Sequence, residues 1–116
     1  AMALTTDTSI ITALANDYGY DVVFSRQIEA LGRQGAIAIA ISTSGKSKNI
    51  IDAVKAAKRI GITTIALTGS SGGDLKKECD ISISVPSDDT PRIQESHCLI
   101  GHIICELVEE ECAKDK

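Results

Sequence analysis

The sequence has no tryptophan, one phenylalanine and two tyrosines, so aromatics make up 3% of its 116 residues. A core without large rings must be built from isoleucine, leucine, valine and alanine. No run of lysine and arginine stands out, and the net charge is −4. That balance argues against a nucleic-acid surface or an anionic membrane as partner. No apolar stretch approaches the length of a membrane span, and no cationic-apolar leader precedes the first apolar segment, which points to a cytoplasmic protein. No G-x-G-x-x-G follows any expected strand, which weakens a dinucleotide-binding reading. Four cysteines are present but no C-x-x-C. Cys98, Cys105 and Cys112 recur every seven residues along one helical stripe. Cysteines two helical turns apart are about 10 Å apart along the axis, too far for a disulfide. They are expected to be small buried apolar residues in a reducing compartment.

What the chain does have is centred on Ile37 to Ser47, IAIAISTSGKS. Ile37 to Ile41 has the length and composition of a strand buried on both faces of a parallel sheet. Ser42, Thr43, Ser44 and Ser47 then place four hydroxyls among six residues, with Gly45 and Lys46 between them, ahead of a helical pattern. Free N–H groups and hydroxyls at a helix N-terminus favour an anion, most often a phosphate. An ordinary capped turn is the alternative, and it needs only one such hydroxyl.

The rest of the chain alternates. Ala1 to Thr5 reads as a short strand, and a helix follows from about Ser9 to Asn16. Asn16 and Asp17 precede Gly19 as a turn, and helical periodicity resumes from Asp21 to Leu31. Beyond the central strand, Asn49 to Ile60 is expected to be helical with Gly61 as C-cap. Ile62 to Leu67 is a strand ending in a polar, glycine-rich turn, Thr68 to Gly73. A short helix at Asp74 to Cys79 and a strand at Ile81 to Val85 come next. Ser87 to Pro91 starts a last helix that runs to about Glu110, apolar more than half-way round. A helix so apolar is buried on more than one side, the second side by another subunit.

Alternating strands and helices give a three-layer α/β/α fold with a mainly parallel sheet of about four strands. Ligands bind such sheets beyond the carboxyl ends of the strands. The loops beginning at Ser42, Thr68 and Ser87 therefore converge on one rim. His97 and His102 lie on the last helix, where a packed core histidine is the commoner outcome.

ISTSGKS at Ile41 to Ser47, LTG at Leu67 to Gly69 and VPSDDTPRIQE at Val85 to Glu95 resemble the sugar isomerase (SIS) domain. Within that superfamily the resemblance is to the phosphoheptose isomerases, and ALTTDTS at Ala3 to Ser9 and ANDYGY at Ala15 to Tyr20 add to it. It covers essentially the whole chain as a single, flavodoxin-like SIS domain, residues 1–116. It implies an aldose–ketose isomerase that converts sedoheptulose 7-phosphate to D-glycero-D-manno-heptose 7-phosphate through an enediol-type proton transfer. Ser42, Thr43, Ser44 and Ser47 are implied as the phosphate cradle, and Asn16 and Asp17 as contacts to substrate hydroxyls. Gln94 is implied as a substrate and zinc ligand. His102 is implied as zinc ligand and acid/base group. The family's chemistry needs a base near neutral pH and an electrophile for the oxyanion, tasks that histidine and a divalent metal perform. The resemblance also implies a homotetramer, with neither a nucleic acid nor a membrane as partner.

Lys46 departs from the small polar residue frequent at its position. The family's N-terminal helices, first strand and glycine-rich loop, and the His and Glu that complete its zinc site, have no counterpart in the chain. That departure implies two missing zinc ligands, a gap in the sheet between Ala1–Thr5 and Ile37–Ile41, and little isomerase activity for these residues alone. A non-catalytic SIS module that binds a sugar phosphate or a protein partner is the alternative. His102 is the residue that discriminates, since such modules lack it.

Overall fold

The computed structural model describes residues 1–114. Helix α1 spans Thr8–Tyr18, a 3-10 turn spans Tyr20–Val22, and α2 spans Val23–Leu31. Strand β1 (Ile37–Ile41), helix α3 (Lys48–Ile60), strand β2 (Thr63–Thr68), the short α4 (Leu75–Glu78), strand β3 (Ile81–Ser84) and the long α5 (Thr90–Ala113) follow in alternation. The strands form one parallel sheet in the order β1-β2-β3. Ile39 stands opposite Ile65, and Ile65 opposite Ile81.

Side chains alternate across a strand, so the sheet has two unlike faces. One carries Ala40 and Ala66, small enough for α3 and α4 to come close. Val54 and Leu75 close this core, with Ile50, Ile51 and Cys79 around it. The other face carries Ile37, Ile39, Ile41 and Ile81, which are 64%, 47%, 55% and 50% exposed. The expectation that β1 is buried on both faces is therefore corrected. Helix α5 packs against β2 and leaves the flanking isoleucines uncovered.

The first five residues are not a strand: the segment ends in a turn at Leu4 and Thr5. The sheet accordingly has three strands among the described residues rather than about four. A strand needs a ladder partner, and an apolar cavity of about 510 Å³ lies between this segment and β1. Its walls include Leu4, Phe24, Ile28, Ile39 and Val54. The segment is tied to α2, where Gln27 Nε2–H donates to the Leu4 carbonyl at 3.1 Å.

The cysteine stripe also differs from expectation. Cys98, Cys105 and Cys112 are exposed, as are Leu99, Ile103, Leu107 and Val108. The cause is length: α5 runs 24 residues, while β2, the strand it packs on, runs six. Only Ile93 and His97 of α5 are buried. No described helix is long and apolar enough to cross a membrane.

Candidate functional site

The site begins where β1 ends. Ser42 is buried, and its N–H donates to the Leu67 carbonyl at 3.0 Å, so the loop leaves the sheet still paired to β2. Ser42 Oγ then lies 2.9 Å from Ser47 Oγ and accepts from the Gly45 N–H at 3.1 Å. Ser44 Oγ accepts from the Lys46 N–H at 3.2 Å. Ser47 is the residue that precedes α3, yet its side chain makes no capping bond. Ser47 is thus not a side-chain N-cap, while Asn49 Oδ1 accepts from the Ile50 N–H at 2.9 Å in the first turn. The hydroxyls bond within the loop, and the amino end of α3 is not closed by its own N-cap side chain.

Two further loops press on this one. Gly45 sits at φ +64°, a left-handed conformation that favours glycine. A Cβ at Gly45 would lie 2.0 Å from the Gly72 carbonyl oxygen, so the two loops meet backbone to backbone. The Leu75 N–H donates to the Gly45 carbonyl at 3.0 Å, the Gly69 N–H to Thr43 at 2.9 Å, and the Ser70 N–H to Ser87 at 3.1 Å. The three carboxyl-end loops thus form one rim, as their topology requires.

A polar cavity of about 160 Å³ opens at this rim. Thr43 and Ser44 line it from the first loop, Ser70 and Ser71 from the second, and Ser87, Asp88 and Thr90 from the third. The Asp88 carboxylate accepts from the Ser70 hydroxyl. The 510 Å³ cavity is larger, but its walls are mainly aliphatic. The smaller one is lined mainly by hydroxyl and carboxylate side chains. The second and third loops were legible as rim loops, and their individual side chains were not. The signal for them was the density of Ser, Gly and Asp after β2 and β3.

The other expected site residues are placed less completely. Asn16 and Asp17 are not in a turn: they lie in the last turns of α1, which Gly19 ends. Asn16 Nδ2–H donates to Asp17 Oδ1 at 2.9 Å, and both side chains are exposed. This corner is tied toward the rim by an ion pair between Asp21 and Lys48, the first residue of α3. The hydrogen bond from Lys48 to Asp21 raises the lysine pKa, with their charge attraction adding to it. Gln94 is exposed and adjacent to Ile93, which lines the polar cavity. His102 is exposed two turns further along α5. His97 is the packed histidine, and its Nε2 lies 3.1 Å from the Thr68 carbonyl oxygen.

Among the described residues no three His, Cys, Asp or Glu side chains gather where a metal could be held. Gln94 and His102 stand eight residues apart on one helix, about 12 Å of rise. By themselves they do not make a closed four-ligand site. Cys79 is no substitute nucleophile, because burial pushes its thiol up and away from the reactive thiolate.

A parallel α/β domain with a hydroxyl-rich rim at its strand ends is the architecture to which comparison with known proteins also leads. The SIS-domain family profile matches residues 1–69, more than half of the chain, and the chain belongs to that family. A phosphoheptose isomerase of Sulfurimonas denitrificans is 62% identical over 99% of the chain and 59% of the relative. One from Aneurinibacillus thermoaerophilus is 57% identical over the whole chain and 59% of the relative. The solved phosphoheptose isomerase of Neisseria gonorrhoeae superposes with a TM-score of 0.93 at 50% identity, over 95% of this chain and 61% of that one. The chain spans about three-fifths of the length of the curated relatives it matches.

Proposed function

We propose that the protein containing this chain is an aldose–ketose isomerase acting on a sugar phosphate, converting sedoheptulose 7-phosphate to D-glycero-D-manno-heptose 7-phosphate. The observation that carries the reading is the Ser42–Ser47 loop. Its hydroxyls are gathered at the amino end of α3 without capping it, and Thr43 and Ser44 face a polar cavity. An anion there meets N–H groups and O–H donors together. Ser42, Thr43, Ser44 and Ser47 form the phosphate cradle. Asn16 and Asp17, joined toward the rim through Asp21 and Lys48, receive sugar hydroxyls, as does the Asp88 carboxylate. The names of the similar proteins and the resemblance of the Gln94 region support the isomerase class.

His102 is the acid/base group. It moves a proton between adjacent carbons as the carbonyl shifts, with an enediol between the two forms. Gln94 and His102 are the chain's donors to a divalent cation, zinc by family resemblance, which needs further ligands that no described residue supplies. Bound, such an ion would polarise the substrate carbonyl. The exposed apolar residues of α5, together with Ile37, Ile39, Ile41 and Ile81 on the sheet, support a homo-oligomer. The tetramer is the state the resemblance implies. Four cysteines without a disulfide support a reducing compartment, the cytoplasm.

A second reading rests on the same loop. The hydroxyls of Ser42–Ser47 and the polar cavity beside them also suit a module that binds a sugar phosphate without turning it over, and the presence of His102 weighs against it. Assaying isomerisation of sedoheptulose 7-phosphate with added zinc, in the protein at its full encoded length, separates the two. Turnover supports the enzyme, whereas binding without turnover supports the module.

A further inference from the structure

His97 is used by neither the phosphate cradle nor the proposed proton transfer, yet it is 6% exposed and sits on the helix that carries Gln94 and His102. A carbonyl oxygen cannot donate, so the contact to Thr68 places the ring hydrogen on Nε2. In the neutral ring Nδ1 is then a bare acceptor, and it is buried without a partner. Burying an acceptor unpaired costs stability that leucine at the same place would not. What the imidazole supplies in return is a single bond, from Nε2–H to the Thr68 carbonyl.

That bond falls on a node of the rim. The Thr68 carbonyl also accepts from the Val85 N–H at 2.9 Å, which engages both of its lone pairs. The other end of the same peptide unit is the Gly69 N–H, which donates to the Thr43 carbonyl at 2.9 Å. One rigid amide plane thus joins α5 and Val85, the residue after β3, to the hydroxyl loop. There is little slack around it. A Cβ at Gly69 would lie 2.7 Å from both Thr43 O and Ile93 Cδ1, and Ile93 is one turn before His97 on α5. We propose that His97 is a positioning residue: through the Thr68–Gly69 peptide it sets the place of Thr43, and so the geometry of the phosphate cradle. The inference rests on the anion-binding reading of that cradle.

The test is calorimetric titration with inorganic phosphate of the full-length protein and of H97L and H97Q. The glutamine amide Nε2 can occupy the position of the imidazole Nε2 and keep the donor. H97L should weaken phosphate binding about 3- to 10-fold, the loss of one hydrogen bond's worth of alignment, and H97Q should stay within about twofold of the native protein. A merely packed histidine would give the reverse, since leucine fills apolar space better than glutamine. Equal affinity in all three overturns the proposal for His97 alone. A native protein that fails to bind phosphate overturns it together with the cradle. Should H97L fail to fold, 15N spectra of the native imidazole decide. A hydrogen on Nε2 and ring signals that move on phosphate addition support the proposal, whereas a hydrogen on Nδ1 or unmoved signals contradict it.

Discussion

In the Ser42–Ser47 loop the polar groups answer one another within a few residues, and the neighbouring loops are near enough that glycine is required at the contact. On the exposed side of α5, by contrast, Gln94 and His102 stand open to solvent two turns apart. Both regions carry residues that the family resemblance assigns to one active site. On the proposed reading, anion binding is a local property of a βα turn, assembled where three parallel strands bring their carboxyl ends together. The proposed proton transfer instead rests on Gln94 and His102, which the described residues leave open to solvent.

The comparison can be broken at either end. The largest effect is expected at His102. H102Q in the full-length protein should lower kcat by about 10²- to 10⁴-fold, the range for losing an acid/base group. As a proposed metal donor, His102 should leave the melting temperature unchanged only in the metal-free protein, which differential scanning calorimetry with and without a chelator would check. Gly45 probes the opposite region. G45A puts a side chain on a left-handed residue and drives it into the Gly72 carbonyl, so chemical denaturation should show a loss of about 2–5 kcal/mol. A stability within 0.5 kcal/mol of the native protein, about the usual scatter for surface changes, would mean that the rim is looser than its hydrogen bonds indicate.

A smaller effect, at the far end of β2, serves as a control. Asp80 Oδ2 accepts from both the N–H and the hydroxyl of Thr64 at 2.8 Å. The backbone bond from Thr64, followed by the side-chain bond, holds the Asp80 carboxyl below the usual carboxylate range. A group whose folded pKa is depressed stabilises the fold at higher pH and loses that contribution as pH falls through the folded value. Acid titration of stability should therefore be less steep in D80N than in the native protein below the usual carboxylate range, with phosphate binding untouched. Identical acid profiles would contradict it.

The strand Ile37–Ile41 and its hydroxyl loop were legible because a run of five apolar residues and a cluster of serines are both local signals. Helix α3 was legible within one residue for a similar reason: its apolar positions repeat and Gly61 ends it. Asn16 and Asp17 were misplaced as a turn because the stop signal, Gly19, lies two residues beyond them and the helix continues until it. The segment at Ala1 to Thr5 has strand-like composition, but composition does not supply a ladder partner. The exposure of Ile39 and Cys105 was illegible for the converse reason, since apolar patterning records what a surface packs against in the assembled protein, within the chain or outside it. The node at Thr68 and Gly69 depends on four segments meeting, and no local pattern announces it.

The claim that binding and chemistry are separable is tested most directly by one calorimetric comparison, phosphate titrated into the full-length native protein, S42A/S44A and H102Q. The account predicts that S42A/S44A loses about 1–3 kcal/mol of binding free energy, as expected for hydrogen bonds to a charged group, while H102Q binds phosphate like the native protein. Unchanged affinity in S42A/S44A, or an equal loss in H102Q, would contradict it.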